Sequence, residues 1–303
     1  MLQPIRQLSE WEQLNFLLTN RIPRNLATRF MGWYSRIESP TLARVSISLW
    51  RLFADDLNLG EAKKQHFRSL HECFTRELVA GARPVDAREQ IVCSPCDAEV
   101  GAMGDVQGTT VYQAKGFPYE LDELVPDEAL RERYRDGVFV TLRLKSSMYH
   151  RFHSPIDCSV KEVTYIAGDT WNVNPVALKR IEKLYCKNER AVVELWQEGQ
   201  PAGICLVPVA AILVASIRMH CLDTDLDHRD VGPQRIACDA EYARGQEMGY
   251  FQHGSTIIIL AGRGHRICEG IESGTRVAAG QALLSKYAGL RSSDSATPGD
   301  KEP

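Results

Sequence analysis

No stretch of this chain is apolar for long enough to cross a bilayer as a helix, which takes about 20 residues, and its first residues lack the apolar core of a secretion signal. A protein that does not span a membrane is expected. A disulfide framework is missing too. The nine cysteines, an odd number, stand at 73, 93, 96, 158, 186, 205, 221, 238 and 268, so reduced thiols in a cytosolic compartment are expected. With a net charge of −3 at pH 7 there is no global drive toward nucleic acid, and no nucleic-acid partner is expected. No internal repeat is found. Lysine is absent from residues 1–51, yet that segment carries seven arginines against three glutamates, a local +4 in an otherwise acidic protein. What is present in bulk is ordinary: 303 residues, 44% hydrophobic and 25% charged, are enough for a large buried core.

Residues 1–60 stand apart as a helical region. Ile22, Leu26, Phe30, Trp33 and Ile37 recur at spacings of 4, 4, 3 and 4, one face of a helix with Pro23 in its first turn, and Leu42, Val45, Leu49, Leu52 and Phe53 repeat the pattern after Ser39-Pro40. Two readings stand. Either these faces pack into the core, or they form a basic amphipathic surface whose Trp and Phe lie in the headgroup layer of an anionic bilayer. Residues 54–90 read as a connector with a helical piece. Beyond it, short apolar segments broken by Gly, Pro, Asp and Asn predict a β-rich region. Strands are expected at 91–93, 98–103, 110–113, 138–144, 159–166, 191–196, 203–216, 256–261 and 281–286, with helical turns at 120–134 and 175–185. The polar tail, 291–303, is expected to be disordered.

The chain is organised around Gly245 to Thr256, which runs into Ile257-Ile258-Ile259-Leu260. The apolar run reads as a buried strand. Gly254 and Ser255 then stand at its entrance, where glycine permits a close approach to its carbonyl and the serine hydroxyl can attack its own preceding peptide bond. A tight turn is the plainer reading. Upstream, His150 and His153 lie three apart in Tyr149-His150-Arg151-Phe152-His153-Ser154-Pro155 and converge if that segment turns. Cys93 and Cys96 could complete a zinc set with them, but Ser94-Pro95 is no zinc-knuckle pattern and no second Cys-x2-Cys exists, so no metal is expected. Asp97 is a turn carboxylate unless it meets a histidine, whose tautomer it would then fix.

Phe74-Thr75-Arg76, Gln113-Ala114-Lys115-Gly116, the 149–155 segment, Gly168-Asp169 through Asn174-Pro175, Asn188-Glu189-Arg190, and Gly245-x-Glu247-x-Gly249-x-Phe251-x-x-Gly254-Ser255-Thr256 follow one another at the spacing seen in phosphatidylserine decarboxylases. The chain resembles that family over roughly residues 20–290, and its compact N-terminus looks like the bacterial branch.

The resemblance implies an α+β fold, with the N-terminal amphipathic helices packed on a β-rich catalytic domain over 61–290. It implies a self-processing enzyme that turns phosphatidylserine into phosphatidylethanolamine and CO2. Ser255 would attack the Gly254 carbonyl, with His153 as base and Asp97 orienting it. Cleavage between 254 and 255 would leave a β chain and a 49-residue α chain headed by a pyruvoyl group made from Ser255. That group would form a Schiff base with the substrate amine, with His150 assisting decarboxylation. The implied setting is the cytoplasmic face of a bacterial membrane, bound peripherally, as a homodimer of αβ units. The chain departs from the family at His253, where leucine is commoner, and at Ala98, Cys158 and Ala215, where glycine is usual. These departures leave a processing-deficient relative, or a pyruvoyl enzyme for another amino-acid substrate, as alternatives. A biotin- or lipoate-type carrier is suggested by the cadence of 274–284, but no lysine occupies the hairpin position such a carrier modifies.

Overall fold

Ile257, Ile258, Ile259 and Leu260 leave no polar face to turn toward water, so a strand made of them must be covered on both sides. The computed structural model, which describes residues 24–52, 54, 57–112, 117–211, 217–222, 233–252 and 255–286, places them in this way. Strand Ser255–Ala261 is buried throughout. It lies inside an eight-stranded antiparallel sheet, in the order Pro233–Tyr242, Cys158–Ile166, Arg190–Gln197, Gln200–Ala210, Ser255–Ala261, Val138–Leu144, Ala98–Asp105 and Arg276–Val277. Seven residues are in register on each side of it, from Ser255 opposite Leu144 and Ala210 to Ala261 opposite Val138 and Ile204. Because side chains alternate along a strand, Ile257, Ile259 and Ala261 enter one core and Ile258 and Leu260 another.

The first core is closed by two three-stranded sheets. One orders Ile217–Met219, Glu247–Phe251 and Arg151–His153, and the other Ile91–Cys93, Ala282–Lys286 and His265–Ile267. Phe152, Phe251, Met248, Ile217 and Met219 join this core. The second core is capped by short helices at Leu121–Leu124, Glu128–Tyr134, Pro175–Leu178 and Leu184–Lys187, and by the hairpin of Thr110–Tyr112 and Pro118–Glu120. The α+β expectation holds.

Several family segments prove to be structural ties. Asn188 uses its whole amide: Nδ2 donates to Trp171 O and Ala210 O, and Oδ1 accepts from Trp171 N. Arg190 donates to the carbonyls of Glu123, Leu124, Cys186 and Asn188. A Cβ on Gly168 would lie 2.6 Å from Asn188 C, so these two segments press backbone on backbone. Buried Arg76 joins Leu57 O, Cys73 O and Ser147 O.

At the N-terminal end, helix Arg24–Ser35 is followed by helix Pro40–Arg51, which starts at Pro40 with the Ser39 hydroxyl capping Leu42 N. Ala43 and Ile47 are its buried face, and Ile47 packs with Trp50, Leu57, Ala62, Phe67 and Cys73. The apolar positions expected on one face divide differently. Phe30, Trp33, Val45, Leu49 and Leu52 are exposed, Trp33 at 64% and Leu52 at 74%. For these five the core-packed reading is overturned: they face solvent, and the second helix meets the domain through Ala43 and Ile47 instead. No helix among the described residues is long and apolar enough to cross a membrane. All nine cysteines are free thiols in this structure. The proposed tail, 291–303, lies outside the described residues, as do Gln113 to Gly116 and Ala215.

Candidate active site

The 149–155 segment is not a turn. Arg151–His153 is a strand paired with Glu247–Phe251. Neighbours in a strand point to opposite sides, and Phe152 goes into the core while Arg151 and His153 stay half-buried on the other face. The two histidines therefore do not converge. His150 is fully buried with its ring 4.0 Å from that of Phe74, which in turn stacks on Trp50 at 5.8 Å. His150 Nδ1 bonds Met148 O at 2.8 Å, and its carbonyl accepts from Phe251 N at 2.9 Å. That places it beside Phe251, four residues before Ser255 in the sequence.

His153 sits elsewhere, in a cleft of about 300 Å³ lined among others by Glu77, Arg83, Tyr149, Arg151, Gly245 and Glu247. Its Nδ1 donates to Gly245 O at 2.9 Å, and the Tyr149 hydroxyl lies 2.9 Å from Nε2. Its backbone N–H donates to Pro95 O at 2.7 Å, which draws the Asp97 segment alongside. Burial lowers the His153 pKa from its ordinary value, partly offset by the Gly245 carbonyl. That lowering favours the neutral ring, the state a general base requires. Gly245, with φ +80°, is needed here: it turns the chain in the left-handed region, and a Cβ would lie 2.5 Å from Val85 Cγ2.

Asp97 is held by two residues that line this cleft, Arg83 and Ala279, and makes no hydrogen bond to His153 among the described residues. Its Oδ1 accepts from Arg83 Nε at 2.7 Å and Ala279 N at 3.0 Å, and its Oδ2 accepts from Arg83 Nη2 at 2.5 Å. Arg83 also reaches Glu61 at 2.9 Å and lies 6.0 Å from the centroid of the Tyr149 ring. Across the cleft, Glu247 accepts from Arg151 at 2.7 Å and from His220 at 2.6 Å, while Arg151 also holds Thr75 O.

Ser255 opens the central strand and is fully buried, and its hydroxyl has no hydrogen-bond partner among the described residues. An orphaned buried hydroxyl costs about 1–3 kcal/mol, and such a group in a native core calls for a reason. Gly254 and His253 lie outside the described residues. Just before them, Gln252 Oε1 accepts from Arg36 at 2.6 Å, so the turn after the first helix is tied to the residue that follows strand Glu247–Phe251. Of the glycine departures, Ala98 is wholly buried, and Cys158 Sγ contacts Ser154 Oγ at 3.1 Å.

Asp97 thus reaches the His153 cleft through Arg83 and Ala279, while His150 and Ser255 are both fully buried and Ser255 has no hydrogen bond to His153 among the described residues. Arg83 and Tyr149 were given no role from sequence. Arg83 stood in a connector, and Tyr149 was only a letter in a motif.

A family model described as phosphatidylserine decarboxylase matches residues 70–285. Among similar proteins, the phosphatidylserine decarboxylase proenzyme of Brevibacillus brevis is 30% identical over 276 residues, covering 89% of this chain and 97% of its own length. The Vibrio parahaemolyticus proenzyme is 34% identical over 249 residues, covering 79% and 86%. That of Shewanella sp. strain W3-18-1 is 30% identical over 290 residues, covering 90% and 98%. The chain belongs to the phosphatidylserine decarboxylase family, a family of carboxy-lyases.

Proposed function

We propose that this chain is a self-processing, pyruvoyl-dependent decarboxylase that converts phosphatidylserine to phosphatidylethanolamine and CO2. The observation that carries the reading is Ser255 itself, a buried hydroxyl without a partner among the described residues at the mouth of the central strand, in a chain whose relatives are named as proenzymes. A hydroxyl kept from hydrogen bonding is not stabilised as a spectator, and a site that leaves it unsatisfied suits a nucleophile.

In this reading the Ser255 hydroxyl gives its proton to His153, and its oxygen attacks the Gly254 carbonyl. The Gly254–Ser255 amide breaks and an ester forms. Loss of the Cα proton of Ser255 then expels the Gly254 carboxylate and leaves dehydroalanine. Water hydrolyses its imine tautomer, ammonia departs, and a pyruvoyl group heads residues 255–303. When formed, that group would supply the electron sink for decarboxylation, joined to the substrate amine as a Schiff base. His150, buried beside Phe251, is the residue of this chain assigned to carry the proton at that stage.

Denaturing intact-mass measurement tests the reading. The expected result is two chains, the shorter having 49 residues and lying about 17 Da below the mass of one that begins with serine, the loss of ammonia required by this route. A free serine on that fragment would mean simple hydrolysis and no pyruvoyl. One unbroken chain would favour the processing-deficient relative.

The substrate reading extends to the surface. Exposed Phe30, Trp33, Val45, Leu49 and Leu52 on the arginine-bearing helices fit peripheral binding to an anionic bilayer, here assigned to the cytoplasmic face of a bacterial membrane. Two αβ units are read as pairing into a homodimer. Each large apolar side chain buried contributes about 1.5–3 kcal/mol. Trp33→Ser, Leu49→Ser and Leu52→Ser together should therefore lower co-sedimentation with phosphatidylserine vesicles by at least roughly tenfold. Unchanged sedimentation would remove these helices from the membrane contact.

A further inference from the structure

We propose that Tyr149 is a positioning residue for self-cleavage: its hydroxyl holds His153 as the tautomer with the lone pair on Nε2, while Asp97 supports that tyrosine through Arg83 rather than touching the histidine. The inference rests on the reading of His153 as the base.

The tautomer follows from the partners. A carbonyl oxygen can only accept, so the 2.9 Å bond to Gly245 O places a proton on Nδ1. The neutral ring then has its lone pair on Nε2, and the Tyr149 hydroxyl at 2.9 Å is the donor that faces it at rest; that bond opens when Nε2 takes the Ser255 proton. Burial pushes the Tyr149 phenol above its ordinary value, so it keeps the proton it donates.

In a Ser/His/Asp triad the carboxylate accepts from the Nδ1–H. Here a neutral carbonyl holds that place, and both Asp97 oxygens are taken by Arg83 and by Ala279 N. Arg83 is the link, bidentate to Asp97 and facing the Tyr149 ring. The Tyr149 ring also stacks on that of His153, with centroids 5.6 Å apart. The charged groups around the histidine are Glu247, Asp97 and Arg151, with Glu77 and Arg83 lining the same cleft. None of them is hydrogen-bonded to the imidazole in the described structure, so Tyr149 is the side chain that directly biases its protonation.

The test follows self-cleavage of the pulse-labelled full-length chain across a range of pH. Tyr149→Phe keeps the ring against His153 and removes only the donor. It should move the acid limb of the rate profile to higher pH, because the neutral imidazole loses its stabilising hydrogen bond. Replacing Tyr149 with 3-fluorotyrosine, a stronger donor of the same shape, should move the limb the other way. A tyrosine that only fills space would leave the limb where it is in both variants, and that result overturns the inference. His153→Ala separates the two levels. If it blocks cleavage while Tyr149→Phe keeps the wild-type profile, the base assignment survives and the role of Tyr149 falls. If His153→Ala cleaves at the wild-type rate, the base assignment fails and takes this inference with it.

Discussion

Ser255→Ala leaves the chain whole, at the 34.0 kDa of the uncut sequence, and without decarboxylase activity. Removing the nucleophile removes both the ester that leads to cleavage and the source of the electron sink, so activity should fall by on the order of 10⁴-fold or more. The loss should not come from unfolding. Ser255 is fully buried and its hydroxyl has no partner among the described residues. Its deletion therefore takes away an unsatisfied polar group rather than a contact. Urea unfolding should place the variant's midpoint no lower than that of the wild-type protein. A Ser255→Ala chain that still separates into two pieces would assign the cut to another protease and end the self-processing account.

Gly249→Ala should be among the most damaging single-methyl additions available. A Cβ at that position would lie 2.1 Å from Arg218 O and 2.7 Å from Phe152 Cζ, so strand Glu247–Phe251 would have to move away from Ile217–Met219 and from the core ring beneath it. The expected cost is about 3 kcal/mol or more, at the upper end for overpacking, with slowed processing because this strand leads into Ser255. Gly32→Ala is the internal contrast. Nothing lies within 4 Å of its added methyl in helix Arg24–Ser35, so the same substitution there should stabilise by about 0.5–1 kcal/mol. Denaturant midpoints of the two variants that moved together would contradict the packing described around Gly249.

The fold was legible where burial alone dictates the pattern. Ile257 to Leu260 and Val138 to Leu144 are buried on both faces, and an unbroken apolar run has few other places to go. Pro233–Tyr242 escaped because it alternates exposed and half-buried positions with Gln, Arg, Asp and Glu among them, the composition of a sheet edge. Arg151–His153 and Glu247–Phe251 escaped for a different reason. They are short, and their pairing joins positions about a hundred residues apart, which no local period records.

The site divided in the same way. Ser255, His153, Asp97 and His150 could be named because the motif order is visible along the chain. Their partners could not. That Arg83 would take both Asp97 oxygens, and that Gly245 O would hold the His153 Nδ1–H, depend on four segments meeting in space. The exposed face of the N-terminal helices was half legible: the spacing of Val45, Leu49 and Leu52 marks one stripe, but whether the stripe faces protein or solvent is decided by the shape of the domain beneath it.

The central position of Ser255–Ala261 has one more consequence. A break before Ser255 cuts the backbone but not the sheet, because this strand keeps seven paired residues on either side, all contributed by the longer piece. Strands Arg276–Val277 and Ala282–Lys286 add pairings to Ala98–Asp105 and Ile91–Cys93. The two pieces thus become a heterodimer whose interface is the former interior of one domain. Mixing separately made fragments would ask the short chain to thread between Val138–Leu144 and Gln200–Ala210, two strands that it alone joins. The assembled pair is therefore expected only as the product of folding first and cutting afterwards, so the order of events is written into the topology.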